Sequence, residues 1–473
     1  MLILAAAVLG AAAWLRGAEY DEQYTLFLTA GVARPSWPVT VFPAGFVAAM
    51  QSGHASLAGI SRDLRTTDVH PPLYFWAVSL WREFMGPSLF VARTLSALCG
   101  LASLGLVGAI AKRCAIAPAL PMLLTLGCYG FVYTNAIARG FAPAQMLTLG
   151  GVLLLLERRP LLAGGLFGAA CCCNYLAIFV VIAAVAATGA VLPVLSAIPF
   201  LAVDAWFLVA QHATRQGQFP AFSIWQSLLR LGRYQIAAAF GGLPLYVDGG
   251  ARILVTASIG LLAVALAAHI ALARPWRAGS AIRVLLAAAM APPIGLMLLG
   301  AAFDNTPIEL RYLCFGLPFI ALLVAWACRR PFLWPVRRVT VGLALVLALQ
   351  SAGIAGLVLA PRTMQPARVT AAEAARRVGN GIVLLPRGND GVGIVGAFGI
   401  EAPPSMPVLL LDPADPIAAR VSAFRRVVIA LMAQDRDSTE ALAGVRAALA
   451  APDWRRVAFG SSVEVYERTD RGE

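Results

Sequence analysis

Apolar runs broken by short polar punctuation dominate the first three quarters of the chain. They cover residues 1–16, 88–111, 116–134, 142–157, 160–172, 175–190, 193–210, 252–273, 284–303, 311–328 and 338–360. A membrane-crossing helix needs about 20 apolar residues, range about 17–25. The pattern therefore predicts a bundle of about eleven spans, with 160–190 also readable as one broken hairpin. The first run starts at Met1 with no basic residues ahead of the apolar core, which argues against a cleaved signal peptide.

The stretches between the runs carry their own patterns. In the first long loop, 17–87, residues 43–60 read as a short surface helix. Residues 71–85 are apolar and aromatic but short, and follow Pro71-Pro72, so they predict an interfacial or re-entrant helix. In loop 211–251, Phe219, Phe222, Trp225, Leu228 and Leu229 fall at helical spacing, as in a helix lying on a membrane surface. Beyond residue 361 the pattern changes. Ile382–Pro386, Val408–Leu411 and Arg426–Met432 read as short buried strands, 369–378 and 438–450 as helices, and 457–468 as a closing strand pair. The expectation is an α-helical polytopic membrane protein, residues 1–360, followed by a small α/β domain, residues 361–473.

Composition agrees. The chain is 60% hydrophobic and 13% charged, against about 45–50% and about 25% for a soluble domain. A soluble globular or disordered protein is excluded. The net charge of +13 does not make a nucleic-acid binder, because the bases lie in short clusters between apolar runs. Lys112-Arg113, Arg158-Arg159, Arg274-Arg277-Arg283 and Arg329-Arg330 with Arg337-Arg338 read as cytoplasmic loops. Counting spans between them puts the N-terminus inside and loops 17–87, 211–251 and 304–310 outside. The C-terminal domain, nearly neutral, also falls outside. A bacterial cytoplasmic membrane is the expected location. The eight cysteines sit in or beside apolar runs and show no disulfide framework. Cys171–Cys173 has no His or carboxylate beside it in sequence and reads as small apolar packing.

Chemistry-bearing residues gather at the predicted outer face. Asp21-Glu22 follow the first run; a carboxylate there can deprotonate an acceptor or hold a divalent cation, or simply begin a solvated loop. His70, in Asp68-Val69-His70-Pro71-Pro72, stands at a helix N-terminus, where anions are favoured. Arg139 lies at the outer end of a run, a cation kept there for an anionic partner or snorkelling to the interface. Arg311-Tyr312 follow Asp304 and Glu309; Arg311 can pair with Glu309 or grip a phosphate. Asp204, inside a run, is a buried partner for an arginine or a packing hydrogen bond. His212 and His269 carry little information. Anion-binding groups at headgroup level beside a carboxylate suggest chemistry on a lipid-linked phosphate.

These residues carry a family resemblance. DEQYTLFL after the first run, DVHPPLYFWAVSLW about 45 residues later, SLFVARTLSALCGLASLGLVGAIAKR, ARGFAPAQMLTLGGVLLLLERR and ELRYLCFGLPFIALLVAWA resemble membrane glycosyltransferases of the GT-C fold. The nearest groups are bacterial relatives of protein O-mannosyltransferases and lipid A aminoarabinose transferases. The resemblance spans residues 1–360. It implies transfer of a sugar from a polyprenyl-phosphate donor to a lipid, glycan or protein acceptor, with inversion in one displacement. It implies Asp21 as the catalytic carboxylate, with Glu22 beside it and a divalent cation on the pair as an option. His70 takes the place of the basic residue before Pro-Pro that contacts the lipid phosphate, usually Lys in the aminoarabinose branch. Arg139 and Arg311, with Tyr312, complete the implied phosphate site. The rival classes are a transporter or flippase of a lipid-linked substrate, which inverted repeats would support, and a non-catalytic assembly protein. No such repeat is evident.

Overall fold

The computed structural model describes residues 1–211, 219–329, 336–359, 367–413, 415–433 and 435–469, with backbone only at 336–338. His212, Arg330 and Glu473, and the side chains of Arg337 and Arg338, lie outside the described residues. The helices begin with α1 (Leu2–Leu15), α2 (Tyr20–Ala30), α3 (Gly45–Gln51), α4 (Leu57–Thr67), α5 (Leu73–Met85) and α6 (Leu89–Arg113). Next come α7 (Ala119–Gly127), α8 (Tyr129–Asn135), α9 (Phe141–Leu156), α10 (Pro160–Cys173), α11 (Ala177–Thr188) and α12 (Leu192–Ala210). They continue with α13 (Ile224–Ala239), α14 (Gly249–Leu272), α15 (Ser280–Phe303), α16 (Leu317–Ala327) and α17 (Val336–Leu359). The last are α18 (Ala367–Val378), α19 (Gly393–Glu401), α20 (Ile417–Val421) and α21 (Arg436–Ala448).

The chain forms two compact units. One contains Met1–Arg16, Leu64–Ala77 and Ala92–Ala360; the other contains Gly17–Asp63, Val78–Val91 and Pro361–Glu473. The second unit thus draws in two stretches of the first long loop, whereas the pattern alone draws its boundary at residue 360.

In the first unit every predicted apolar run is helical, but not every run is one helix. Among the described residues six helical segments are long and apolar enough to cross a membrane. Those at 141–156, 160–173 and 177–188 are shorter. Run 116–134 breaks at Cys128, whose backbone is extended (φ −64°, ψ 119°), giving α7 and α8. Run 160–190 breaks at Asn174, also extended, giving α10 and α11. Buried polar side chains serve the loose ends. Arg93 donates to the Ala13 and Arg16 carbonyls at 3.0 and 2.9 Å, at the C-terminal end of α1. Gln350 on α17 donates to Leu124 O (3.1 Å) and Ala239 O (2.8 Å), joining α17 to α7 and α13 by polar contacts.

The second unit is built on a six-stranded sheet. Its strands are β1 (Phe42–Pro43), β2 (Ile382–Pro386), β3 (Pro407–Leu411), β4 (Arg426–Ala430), β5 (Trp454–Phe459) and β6 (Val463–Arg468). Their order is β1-β3-β2-β4-β6-β5, with β3, β2 and β4 parallel and the other pairs antiparallel. The central strands are near-continuous apolar runs because helices cover both faces. Val383, Leu385, Val408, Leu410 and Val428 pack with Phe27, Val47 and Phe398 on one face. Ile382, Leu384, Leu409, Val427 and Ile429 pack with Val421, Leu442 and Val445 on the other. Strand alternation sorts the side chains between the two faces.

Three local features add to the pattern-based expectation or depart from it. Residues 43–60 do not form one surface helix. They hold β1, which pairs Phe42 with Val408, then α3 and the start of α4. The break falls where Gly53 passes the end of α2, since a Cβ there would lie 2.5 Å from Ala30 O. Helix α5, expected as an interfacial or re-entrant helix, buries Tyr74, Phe75, Val78 and Arg82 and leaves Leu80, Phe84 and Met85 exposed. The helix expected in loop 211–251 starts at Ile224, after Phe219 and Phe222, and leaves Trp225 and Leu229 exposed.

Candidate functional site

In the first unit, Asp68 and His70 lie on the five-residue link between α4 and α5, stiffened by Pro71-Pro72, which fix φ and cannot donate. Arg139 lies in the turn between α8 and α9. That turn is tightly placed, since a Cβ on Gly140 would lie 2.2 Å from Cys173 O. Gln211 anchors the link by donating to the Leu64 and His70 carbonyls at 3.1 and 2.8 Å, while Tyr175 donates to its Oε1 (3.1 Å).

The three side chains meet. His70 Nδ1 lies 2.8 Å from Asp68 Oδ1, which also accepts the Val69 N–H at 2.7 Å. Arg139 Nη1 reaches Asp68 Oδ2 at 3.5 Å, and its Nη2 lies 3.1 Å from both ring nitrogens of His70. Guanidinium donates only, so the consistent arrangement has Nδ1–H donating to Asp68 and Nε2 facing Arg139 as acceptor. The side chain of Arg139 is 6% exposed, that of Asp68 10% and that of His70 21%. Burial alone would raise the Asp68 carboxyl, but the charge on His70 once that ring is protonated, the charge of Arg139 and the hydrogen bonds from His70 and Val69 outweigh it. The carboxyl is held well below the usual range. Asp68 thus balances Arg139, and His70 is the most exposed of the three.

Arg311 and Tyr312 lie in the 3-10 turn Leu310–Gly316, with the Arg311 guanidinium 5.5 Å from the Tyr312 ring centroid. Tyr312 stacks on Phe141 at 6.2 Å, two residues beyond Arg139. Gln145 donates to Cys314 O at 2.7 Å and accepts from Asn135 at 3.1 Å. These contacts bring the turns carrying Arg139 and Arg311 together. Glu309 pairs not with Arg311 but with Arg230, at 2.7 Å, because α13 presents that arginine to it. Burial raises the Glu309 carboxyl despite Arg230. Asp204 is buried beside Cys172 and pairs with no arginine among the described residues. His269 lies 3.2 Å from Ala327 O, a packing contact.

Asp21 and Glu22 belong to the second unit, in the first turn of α2. Glu22 is fully buried and forms a capping box with Glu19, accepting the Glu19 N–H at 3.1 Å. Asp21 stays partly exposed. Tyr24 on the same helix donates to Asp390 at 2.7 Å, and Arg34 to the same carboxylate oxygen at 2.7 Å. Burial first, then the Asp390 charge, pushes the Tyr20 phenol up to about 12. Among the described residues no three His, Cys, Asp or Glu side chains converge as metal ligands.

The pattern reading did not select Asp68 as the balancing charge, nor Gln211 or Arg230. For Asp68 the signal was present, an acid two residues before His70. Gln211 and Arg230 carry no local signal. The stretch after β2, Gly391-Val-Gly393-Ile-Val-Gly396, has the spacing of a nucleotide-binding turn, but the protein fills it itself. Cβ atoms at these glycines would lie 2.9 Å from Trp37, 2.3 Å from Tyr20 and 2.8 Å from Gln23, respectively.

The fold is the GT-C fold expected from the sequence. Specifically, the chain is similar to the crystal structures of ArnT from Cupriavidus metallidurans, in the apo state and bound to undecaprenyl phosphate. The apo structure matches with a TM-score of 0.53 and 12% identity, over 98% of this chain and 96% of that one. The bound structure matches with a TM-score of 0.52 and 13% identity, over 99% and 97%. A cryo-EM structure of the arabinofuranosyltransferase AftD from Mycobacteria matches with a TM-score of 0.43 and 16% identity, over 99% of this chain and 40% of that one. No family model matches the sequence. No curated protein matches it either.

Proposed function

We propose that this multi-pass membrane protein transfers a sugar from a polyprenyl-phosphate donor to an acceptor at the outer face of a bacterial cytoplasmic membrane. The observation that carries the reading is the cluster Asp68–His70–Arg139 in a chain of this fold. A nearly buried arginine, balanced by one carboxylate and touching a more exposed imidazole, suits the phosphate of a lipid-linked donor. One of the similar ArnT structures holds undecaprenyl phosphate. Arg311 and Tyr312, on a turn packed to that of Arg139, extend the same site.

In the proposed reaction Asp21 takes the proton of the acceptor hydroxyl or amine. The acceptor atom bonds to the anomeric carbon from the face opposite the leaving group. The carbon–oxygen bond to phosphate breaks, and polyprenyl phosphate leaves with the electron pair, stabilised by His70 and the arginines. Glu22 holds the helix that carries Asp21. The proposed topology has about eleven crossings, with residues 361–473 outside.

The test is a transfer assay with purified full-length protein and a panel of polyprenyl-phosphate sugars. Release of polyprenyl phosphate coupled to labelling of an acceptor supports the reading. Movement of the intact donor across the bilayer without cleavage replaces it with a flippase.

A further inference from the structure

The opposite basic end of the first unit holds a feature that sugar transfer does not use. A groove of about 480 Å³ opens there, lined by Ile116, Leu120, Ala325, Val339, Leu343 and Arg329. It lies between the start of α7, the end of α16 and the start of α17. Its volume falls in the range of small-molecule sites, about 300–1,000 Å³. Its walls are apolar except at the mouth.

The mouth is cationic. Helix α6 ends in Lys112 and Arg113, both exposed, and turns at Ala115 through a left-handed conformation (φ 54°). Ala115 itself lines the groove, and its carbonyl accepts a hydrogen bond from the exposed guanidinium of Arg329. Among the described residues Arg329 is the charged side chain that lines the groove, with no acidic one beside it, and Lys112 and Arg113 lie three and two residues before its lining residue Ala115. Basic loops need only be basic to orient a membrane protein; here one of their arginines, Arg329, also lines a groove with mostly apolar walls.

We infer that this groove binds an anionic glycerophospholipid of the same leaflet. The headgroup phosphate meets Arg329, Lys112 and Arg113, and one acyl chain lies along Leu120, Val339 and Leu343. Charge complementarity selects the headgroup, since each nearby cation adds attraction to an anionic lipid. The apolar walls select an acyl chain over a free phosphate.

Native mass spectrometry of the full-length protein in mild detergent tests this. Phosphatidylglycerol and phosphatidylcholine of identical chains are added in turn, with deacylated glycerophosphoglycerol as competitor. The expected result is retention of phosphatidylglycerol about tenfold or more above phosphatidylcholine, the scale of one charge-assisted contact. Arg329→Gln, and separately Lys112→Gln with Arg113→Gln, should remove most of that preference. Leu343→Trp, in the groove wall, should lower retention of both lipids. Equal retention of the two lipids by the wild type overturns the inference. So does a preference unchanged in both charge variants, or displacement by the deacylated headgroup as efficient as by intact lipid. The charge variants change only exposed side chains, so they decide the matter even if Leu343→Trp fails to fold.

Discussion

At the scale of single residues, the proposed donor site rests on how a buried cation is balanced. Arg139 is nearly enclosed, and its charge is offset by Asp68 across 3.5 Å. A guanidinium contact to phosphate is worth about 1.5–3 kcal/mol, so Arg139→Ala should weaken polyprenyl-phosphate binding roughly tenfold or more. Donor binding measured on folded variant protein checks this, and unchanged affinity counts against the site. Asp68 gives a second handle. Its carboxyl is held low, so the unfolded chain takes up its proton first as pH falls. The stability it supplies is fully present above the ordinary aspartate value of about 3.9, and is lost as pH falls through the lower folded value. Asp68→Asn should therefore melt lower than wild type at pH 6, with the gap narrowing towards pH 3. A gap independent of pH would mean the carboxylate is not held as described.

Asp21 and Glu22 are adjacent, but the fold gives them different surroundings. Asp21→Asn should lower turnover by about 10²–10⁴-fold while donor binding stays near wild type. Glu22→Ala should act mainly on stability, by about 1 kcal/mol through the lost capping bond. Steady-state kinetics with parallel thermal melts separate the two, and an Asp21→Asn enzyme at full rate removes the base assignment.

At the scale of elements, the second unit depends on strands buried on both faces. Leu384 is fully buried between α20 and α21 on one side of β2. Leu384→Ala should cost about 2–5 kcal/mol, seen as a lowered melting temperature and faster proteolysis beyond residue 361. Helices and central strands were legible because long apolar runs and alternating burial are local signals. The break at Asn174 was legible too, falling between the runs 160–172 and 175–190; that at Cys128 was not, because nothing in CYG differs much from an apolar run. Strand β1 is two residues long and exists only by pairing Phe42 with Val408. Helix α19 escaped notice because its glycines, poor helix formers, are there to admit Tyr20, Gln23 and the nearby Val47. Within the candidate site, Asp68, His70 and Arg139 came from motifs visible in the sequence. The partnership of Glu309 with Arg230 did not, because it joins positions 79 apart.

At the scale of the whole molecule, one chain carries a unit of long apolar helices and a second unit built on a sheet. The basic clusters predict that reporters fused after Arg159 and after residue 469 fall on opposite sides of the membrane, the second outside. A cytoplasmic signal from the second fusion overturns the topology. The most direct measurement is single-turnover transfer in proteoliposomes loaded with a labelled polyprenyl-phosphate sugar, comparing wild type with Asp21→Asn and Arg139→Ala. The account predicts polyprenyl phosphate and glycosylated acceptor formed together by the wild type. It also predicts donor bound but uncleaved in Asp21→Asn, and donor weakly bound in Arg139→Ala. Donor that crosses the bilayer intact in all three proteins, with no polyprenyl phosphate released, would contradict it.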